Sequence, residues 1–272
     1  MIRKVTYTIA EVEPYINWLY FFHAWSMAGK PAGEKDRLRQ EAEAMLREME
    51  SRYQTHAVVG VFEANGDGDD VILNDRRIPM LRQQHPVGDE GVTLCLSDFL
   101  RPLSAGVKDT AGAFAATVDA AMETDYRGDI YQQLLAQTLA DRLAEATAER
   151  LHETVRKQWW GYAPDENLTM EELHREAFQG IRPAVGYPSL PDTSVNFLLA
   201  DLLGFADIGI RLTESGMMMP HASVSGFMFA HPLARYFDLG PIGEDQLCDY
   251  ARRRGVPADR LRKFVQSNLI RK

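Results

Sequence analysis

Residues 129–158, "DIYQQLLAQTLADRLAEATAERLHETVRKQ", run without a glycine or proline. Leu134, Leu135, Leu139, Leu143 and Leu151 recur along this stretch at helical spacing, which predicts one long helix with an apolar stripe. The stripe has to be covered by other elements, so what flanks it sets the fold class. "HAVVGVFEA" (56–64), "DVIL" (70–73), "VTLCLSDFL" (92–100) and "GAFAATV" (112–118) read as strands, with "NGDGDD" as turn material. "IRLTESGMMM" (210–219) and "ASVSGFMFA" (222–230) read as a strand pair across a Pro-His turn. Helices are predicted over 12–28, 34–53, 193–203, 244–254 and 257–266. Thr169 and Glu172 form a capping box in "TMEE", and Gly255 is placed to end the helix before it. Strands cluster and helices cluster, rather than alternating. The expectation is α+β with a largely antiparallel sheet.

Charge and cysteine usage remove several function classes. The formal net charge of -9 argues against nucleic-acid binding, which needs a basic stripe. Cys95 and Cys248 stand far apart in no metal-like spacing, so neither a disulfide framework nor a metal site is expected, and a reducing, cytoplasmic setting is the default. The N-terminus has no apolar signal region. The most apolar long stretch, 196–210, is interrupted by Asp201 and Asp207, so no membrane span is expected.

The common enzyme signatures are missing: no G-x-G-x-x-G between strand and helix, no phosphate-binding G-x-x-x-x-G-K-[ST], no H-E-x-x-H and no G-x-S-x-G. Ser223 and Ser225 fit strand alternation better than nucleophilic chemistry, and Trp159 and Trp160 read as packing. These motifs therefore assign no catalytic side chain. "GIRPAVGYP" (180–188) stands out instead, with one arginine, two glycines and two prolines in nine residues. A restricted backbone beside a single long cation suits a clamp for an anionic group, and equally an ordinary tight connection.

The ordered set "FFHAWSMAGK" (21–30), "FEANGDGDD" (62–70), "SDF" (97–99), "DRLAEATAERLHETVRKQWWGYAPDENLTMEEL" (141–173), "GIRPAVGYP", "LTES" (212–215), "PHASVSGFMFAHP" (220–232) and "DYARRRG" (249–255) resembles the C-terminal activation domain of cobalamin-dependent methionine synthase. The resemblance covers nearly the whole chain, is tightest over 141–255 and is looser before Val58. It implies a single C-shaped α+β domain over 1–272, with a looser helical part at 1–57 and an S-adenosylmethionine-binding core at 58–272. It also implies docking on a cobalamin-binding methionine synthase or module, with flavodoxin or a similar one-electron reductant as donor.

The family's Arg-x-x-x-Gly-Tyr motif is matched by Arg182, Gly186 and Tyr187. By resemblance, Arg182 takes the ligand carboxylate and the backbone at Ala184 serves the adenine edge. Asp98 holds the ammonium, Glu145 and Glu176 lie near the ribose and sulfonium, and Tyr236 lies close to the ligand. The chain departs from the family at Val185, where proline is common, at Met219, where an aromatic is usual, and at His221, where glycine is usual. It contains no D-x-H-x-x-G, so cobalamin would come from a partner, and the chain is expected to act in trans as a free-standing component. The alternatives are a docking module that has lost use of S-adenosylmethionine, or reactivation of a different corrinoid methyltransferase.

Overall fold

A computed structural model describes residues 1–86 and 91–270. In chain order the strands are β1 (Ile2–Tyr7), β2 (Thr55–Asp67), β3 (Asp70–Leu73), β4 (Arg76–Pro79), β5 (Asp109–Val118), β6 (Arg211–Leu212), β7 (Met218–Met219) and β8 (Ser223–Met228). The helices are α1 (Ile9–Val12), α2 (Trp18–Ala24), α3 (Ala32–Met49), α4 (Ile130–Thr154), α5 (Met170–His174), α6 (Val195–Leu203), α7 (Glu244–Arg254) and α8 (Ala258–Leu261).

The main sheet has the order β4-β3-β2-β5-β8, is antiparallel throughout and curls into a half-barrel. β1 pairs the first half of β2, and β3 pairs its far end on the same edge. Side-chain alternation divides the sheet into two buried faces. Val58, Phe62, Ala111, Ala113, Ala115 and Phe227 point to the face covered by α6. Ala57, Val59, Phe114, Ala116, Val224 and Met228 point to the face covered by α4. Ala148 on α4 meets Ala57 and Ala116 in this layer, and small residues on both sides let the helix lie close to the strands.

The long helix forms as predicted, then widens into a π-turn over Val155–Trp159. Leu135, Leu139, Leu143 and Leu151 are buried, whereas Leu134 is half exposed on the outer side. The capping box at Thr169 and the left-handed Gly255 cap are both present.

Four local readings need correction. Residues 12–28 are not one helix, because the short 3-10 turn that contains Pro14 ends in extended backbone at Ile16 and Asn17 caps a new start for α2. Residues 92–100 form no strand; Asp98 caps the backbone of Cys95 and winds Leu96–Phe99 into a 3-10 turn. "NGDGDD" is mostly strand, since β2 continues to Asp67 and only its end turns into β3. The 210–219 and 222–230 segments do not pair with each other. β6 and β7 close their own hairpin through Gly216, and β8 pairs β5. Among the described residues no helix is long and apolar enough to cross a membrane.

Candidate functional site at the Arg182 strand

"GIRPAVGYP" is neither a loop nor a free clamp. Residues 181–185 lie along the outer edge of β8 as an added strand. Ile181 and Phe229 exchange both backbone bonds, Phe227 N–H donates to the Pro183 carbonyl, and Val185 N–H donates to the Ser225 carbonyl. Two glycines permit the approach. A Cβ on Gly226 would stand 2.0 Å from the Pro183 carbonyl oxygen, and one on Gly180 would stand 2.3 Å from that of Phe229. Proline is tolerated because this is an edge.

Strand alternation then assigns the side chains. Ile181 and Val185 join the α6-side core, while Ala184 joins the layer beneath α4. Arg182 points the same way as Ala184, its guanidinium 5.4 Å from the Phe114 ring. Val185 therefore faces away from Arg182, and its N–H makes a 2.8 Å bond that a proline could not.

α4 holds this strand at two points one turn apart. Glu149 accepts a hydrogen bond from Arg182 Nη2, and Glu145 accepts one from Tyr187 Oη at 2.9 Å. The Arg182 N–H points outward and donates to Tyr236 Oη at 2.9 Å. Gly186, at φ +89°, turns the chain so that Tyr187 can reach back to α4. Glu176 completes the group from the turn after α5, in left-handed backbone (φ +58°) that a glutamate rarely adopts.

The electrostatics are those of one buried guanidinium ringed by acids. Arg182 is 8% exposed. Burial opposes its charge, but Glu149, Tyr236 and Glu145 more than offset this, and its proton is held more tightly than usual. Desolvation and the charge of Glu149 raise the Glu176 carboxyl, against Arg182. Burial pushes the Tyr236 phenol up to about 12, and the charge of Glu145, then burial, pushes Tyr187 to about 12, so both phenols keep their protons at neutral pH. Several buried polar atoms here have no partner: Arg182 Nε, Glu149 Oε2, both ring nitrogens of His152, and Arg156 Nη1. His152 is held well below its ordinary 6.5 by burial and by Arg156 and Arg182, and is neutral. Its ring lies edge-on to Phe178, which also carries the Arg156 guanidinium at 4.2 Å.

The structure thus brings together Arg182, Ala184, Gly186, Tyr187, Glu145, Glu176 and Tyr236. Asp98 belongs to a different set of contacts. Both its oxygens accept from Arg82, at 2.7 and 2.6 Å, and one also caps Cys95. Sequence reading does not single out Glu149, His152 and Arg156; their spacing after Glu145, at one-turn steps along α4 and into the π-turn that follows it, is the available signal. Two surface hollows lie elsewhere. One, of about 230 Å³, is lined by Arg3 and Trp159, which stack on each other. The other, of about 300 Å³, is lined by Arg76 and Arg77, both ion-paired to aspartates. Neither gathers the mix of cation, acids and phenols found around Arg182. Among the described residues no cluster of three or more His, Cys, Asp or Glu is placed to hold a metal ion.

Of the departures, His221 is exposed with Nδ1 3.9 Å from Asp141, and Met219 is half exposed.

Residues 8–255 match the family model described as "Vitamin B12 dependent methionine synthase, activation domain". The whole chain also superposes on a crystal structure described as the MetH reactivation domain bound to AdoHcy. The TM-score is 0.93 and the identity 38%, with 100% of this chain and 91% of that chain covered.

Proposed function

The chain belongs to the activation-domain family of vitamin B12 dependent methionine synthases, and we propose that it binds S-adenosylmethionine at the Arg182 strand. There it supports reductive methylation of cob(II)alamin to methylcobalamin on a cobalamin-binding partner. The observation that carries this reading is the buried guanidinium of Arg182, left with an unpartnered Nε and ringed by Glu145, Glu149, Glu176, Tyr187 and Tyr236. A 38% identical relative described as bound to AdoHcy supports it independently.

The ligand pairs a carboxylate with two positive centres, and this group of residues has the complementary signs. Arg182 takes the carboxylate by a charge-assisted bond. Glu145 and Glu176 face the ribose and the sulfonium, and Tyr236, fixed by the Arg182 N–H, closes the rim. The backbone at Ala184, pinned to β8, serves the adenine edge, and Gly186 lets Tyr187 stand over the ligand. Asp98, matched by resemblance to the acid on the ligand ammonium, already accepts three hydrogen bonds from Arg82 and Cys95 and keeps one acceptor site on Oδ1 for it. None of these side chains forms a covalent intermediate; the chain positions a methyl donor for in-line transfer. The partner's cobalamin accepts the methyl once a flavodoxin-like donor has supplied one electron, and S-adenosylhomocysteine remains.

Calorimetric titration with S-adenosylmethionine tests the reading. The wild-type chain is expected to bind, and Arg182→Ala to weaken binding by about 100-fold, the usual scale for truncating one side of a buried charge pair. A wild-type chain that shows no heat of binding would favour the second reading, a docking module without use of the ligand. That reading draws on Glu149 already engaging Arg182.

A further inference from the structure

The Arg182–Glu149 pair has a consequence for how the ligand is held. Arg182 and Glu149 meet between the sheet edge and α4, both withdrawn from water. The pair is not saturated: Glu149 uses one oxygen on Nη2, and its Oε2 and Arg182 Nε have no partner. Buried, neutral His152 feels the charge of both Arg182 and Arg156, and Arg156 has its own counter-ion in Glu166 at 2.6 Å. Within this buried layer Glu149 is the acid that touches Arg182. Glu145, one turn earlier, is engaged by Tyr187, and Glu176 approaches from the surface.

We propose that Glu149 is a positioning residue for amino-acid-bearing ligands, acting through Arg182; this rests on the ligand reading above. Glu149 fixes the guanidinium plane by one Nη2 bond and leaves the rest of the fork free. The ligand carboxylate therefore adds to the pair instead of displacing Glu149. A buried cation needs a counter-charge before the ligand arrives as well as after. Without Glu149 the guanidinium loses its one side-chain acceptor and its first counter-charge, and nothing then holds the fork toward the ligand. The nucleoside end of the ligand, held by the backbone near Ala184, does not depend on this arrangement.

The test compares two probes that share the nucleoside and thioether but differ in the amino-acid group: S-adenosylhomocysteine and 5′-methylthioadenosine. Each is titrated calorimetrically into the wild-type chain, Glu149→Ala, Glu149→Gln, Arg182→Ala and the double variant. Glu149→Ala is expected to weaken S-adenosylhomocysteine by about tenfold and to leave 5′-methylthioadenosine within about twofold. Glu149→Gln keeps an acceptor for Nη2 and recovers part of the loss. In the Arg182→Ala background, removing Glu149 has no further effect, since there is no fork left to position. Equal weakening of both probes, or tighter S-adenosylhomocysteine binding by Glu149→Ala, overturns the positioning role while the ligand reading stands. A wild-type chain that binds neither probe overturns both.

Discussion

Arg254 and Arg182 are both buried arginines facing an acid, and the company they keep differs. Arg254, in the last turn of α7, donates to Asp192 and Tyr250 at 2.8 Å each and to Ser194 at 3.0 Å. Asp192 accepts in addition from Tyr250 Oη and from the Ser194 N–H. None of these four residues is left with an unpartnered buried polar atom. Around Arg182, His152 and Arg156, several such atoms remain. Closing a buried network fully ties elements together, here α7 to the segment before α6. Leaving one open is unfavourable for folding, and an incoming polar group recovers the loss. The difference separates a structural arginine from a ligand-facing one where burial alone does not.

Four experiments would break or sharpen that contrast. The largest effect is expected for Asp192→Ala, which strands Arg254 and should lower unfolding stability by about 3–5 kcal/mol. The two clusters share no partner, so S-adenosylmethionine affinity, measured by titration of the folded protein, should stay within about twofold. Gly226→Ala pushes a methyl into the Pro183 carbonyl and should act on both properties. Denaturant titration should show a loss of about 1–3 kcal/mol, and ligand affinity should fall as the Arg182 strand is displaced.

The third prediction concerns pH. His152 binds a proton less readily folded than unfolded, so its contribution to stability is full above the unfolded value near 6.5. It is lost as pH falls, at up to about 1.4 kcal/mol per pH unit, until the folded value is passed. Glu176, raised in the fold, has the opposite sign: its contribution is present at low pH and lost as pH rises. Urea unfolding of wild type and His152→Leu between pH 7 and 5 isolates the histidine, and the variant should lack its share of the slope. A flat difference between the two proteins would mean that His152 already has a partner that removes its burial penalty. The smallest effect is expected for Tyr187→Phe. Its hydroxyl bond to Glu145 lies at the surface, so stability should change by less than about 0.5 kcal/mol and ligand affinity only a few-fold.

The contrast between the two arginines also marks where sequence reading stops. "DYARRRG" and "GIRPAVGYP" are both distinctive stretches, and nothing in either string says which arginine serves packing. Arg253 turns out to bind Asp70 in "FEANGDGDD", joining two motifs 183 positions apart. Gly66 of that same motif lies against the Ser97 backbone of "SDF". Resemblance groups Asp98 with Arg182, and the structure shows both of its oxygens accepting from Arg82, a contact the sequence does not reveal.

What the sequence determined by itself was whatever rests on local periodicity and local hydrogen bonds. The uninterrupted helix α4, the capping box at Thr169, the Gly255 cap and the antiparallel α+β class all follow from patterns a few residues long. The ordered motifs carried the family as well. Pairing partners were decided only in the tertiary structure: β8 beside β5, the 181–185 strand beside β8, and Glu149 beside Arg182. An edge strand satisfies its backbone with whichever extended segment the packing brings alongside. A buried arginine takes its counter-ion from a helix that chain order alone does not place. The physical reason is the same in each case: these contacts are non-local, and their energy depends on distances that exist only once the two faces of the sheet have been covered.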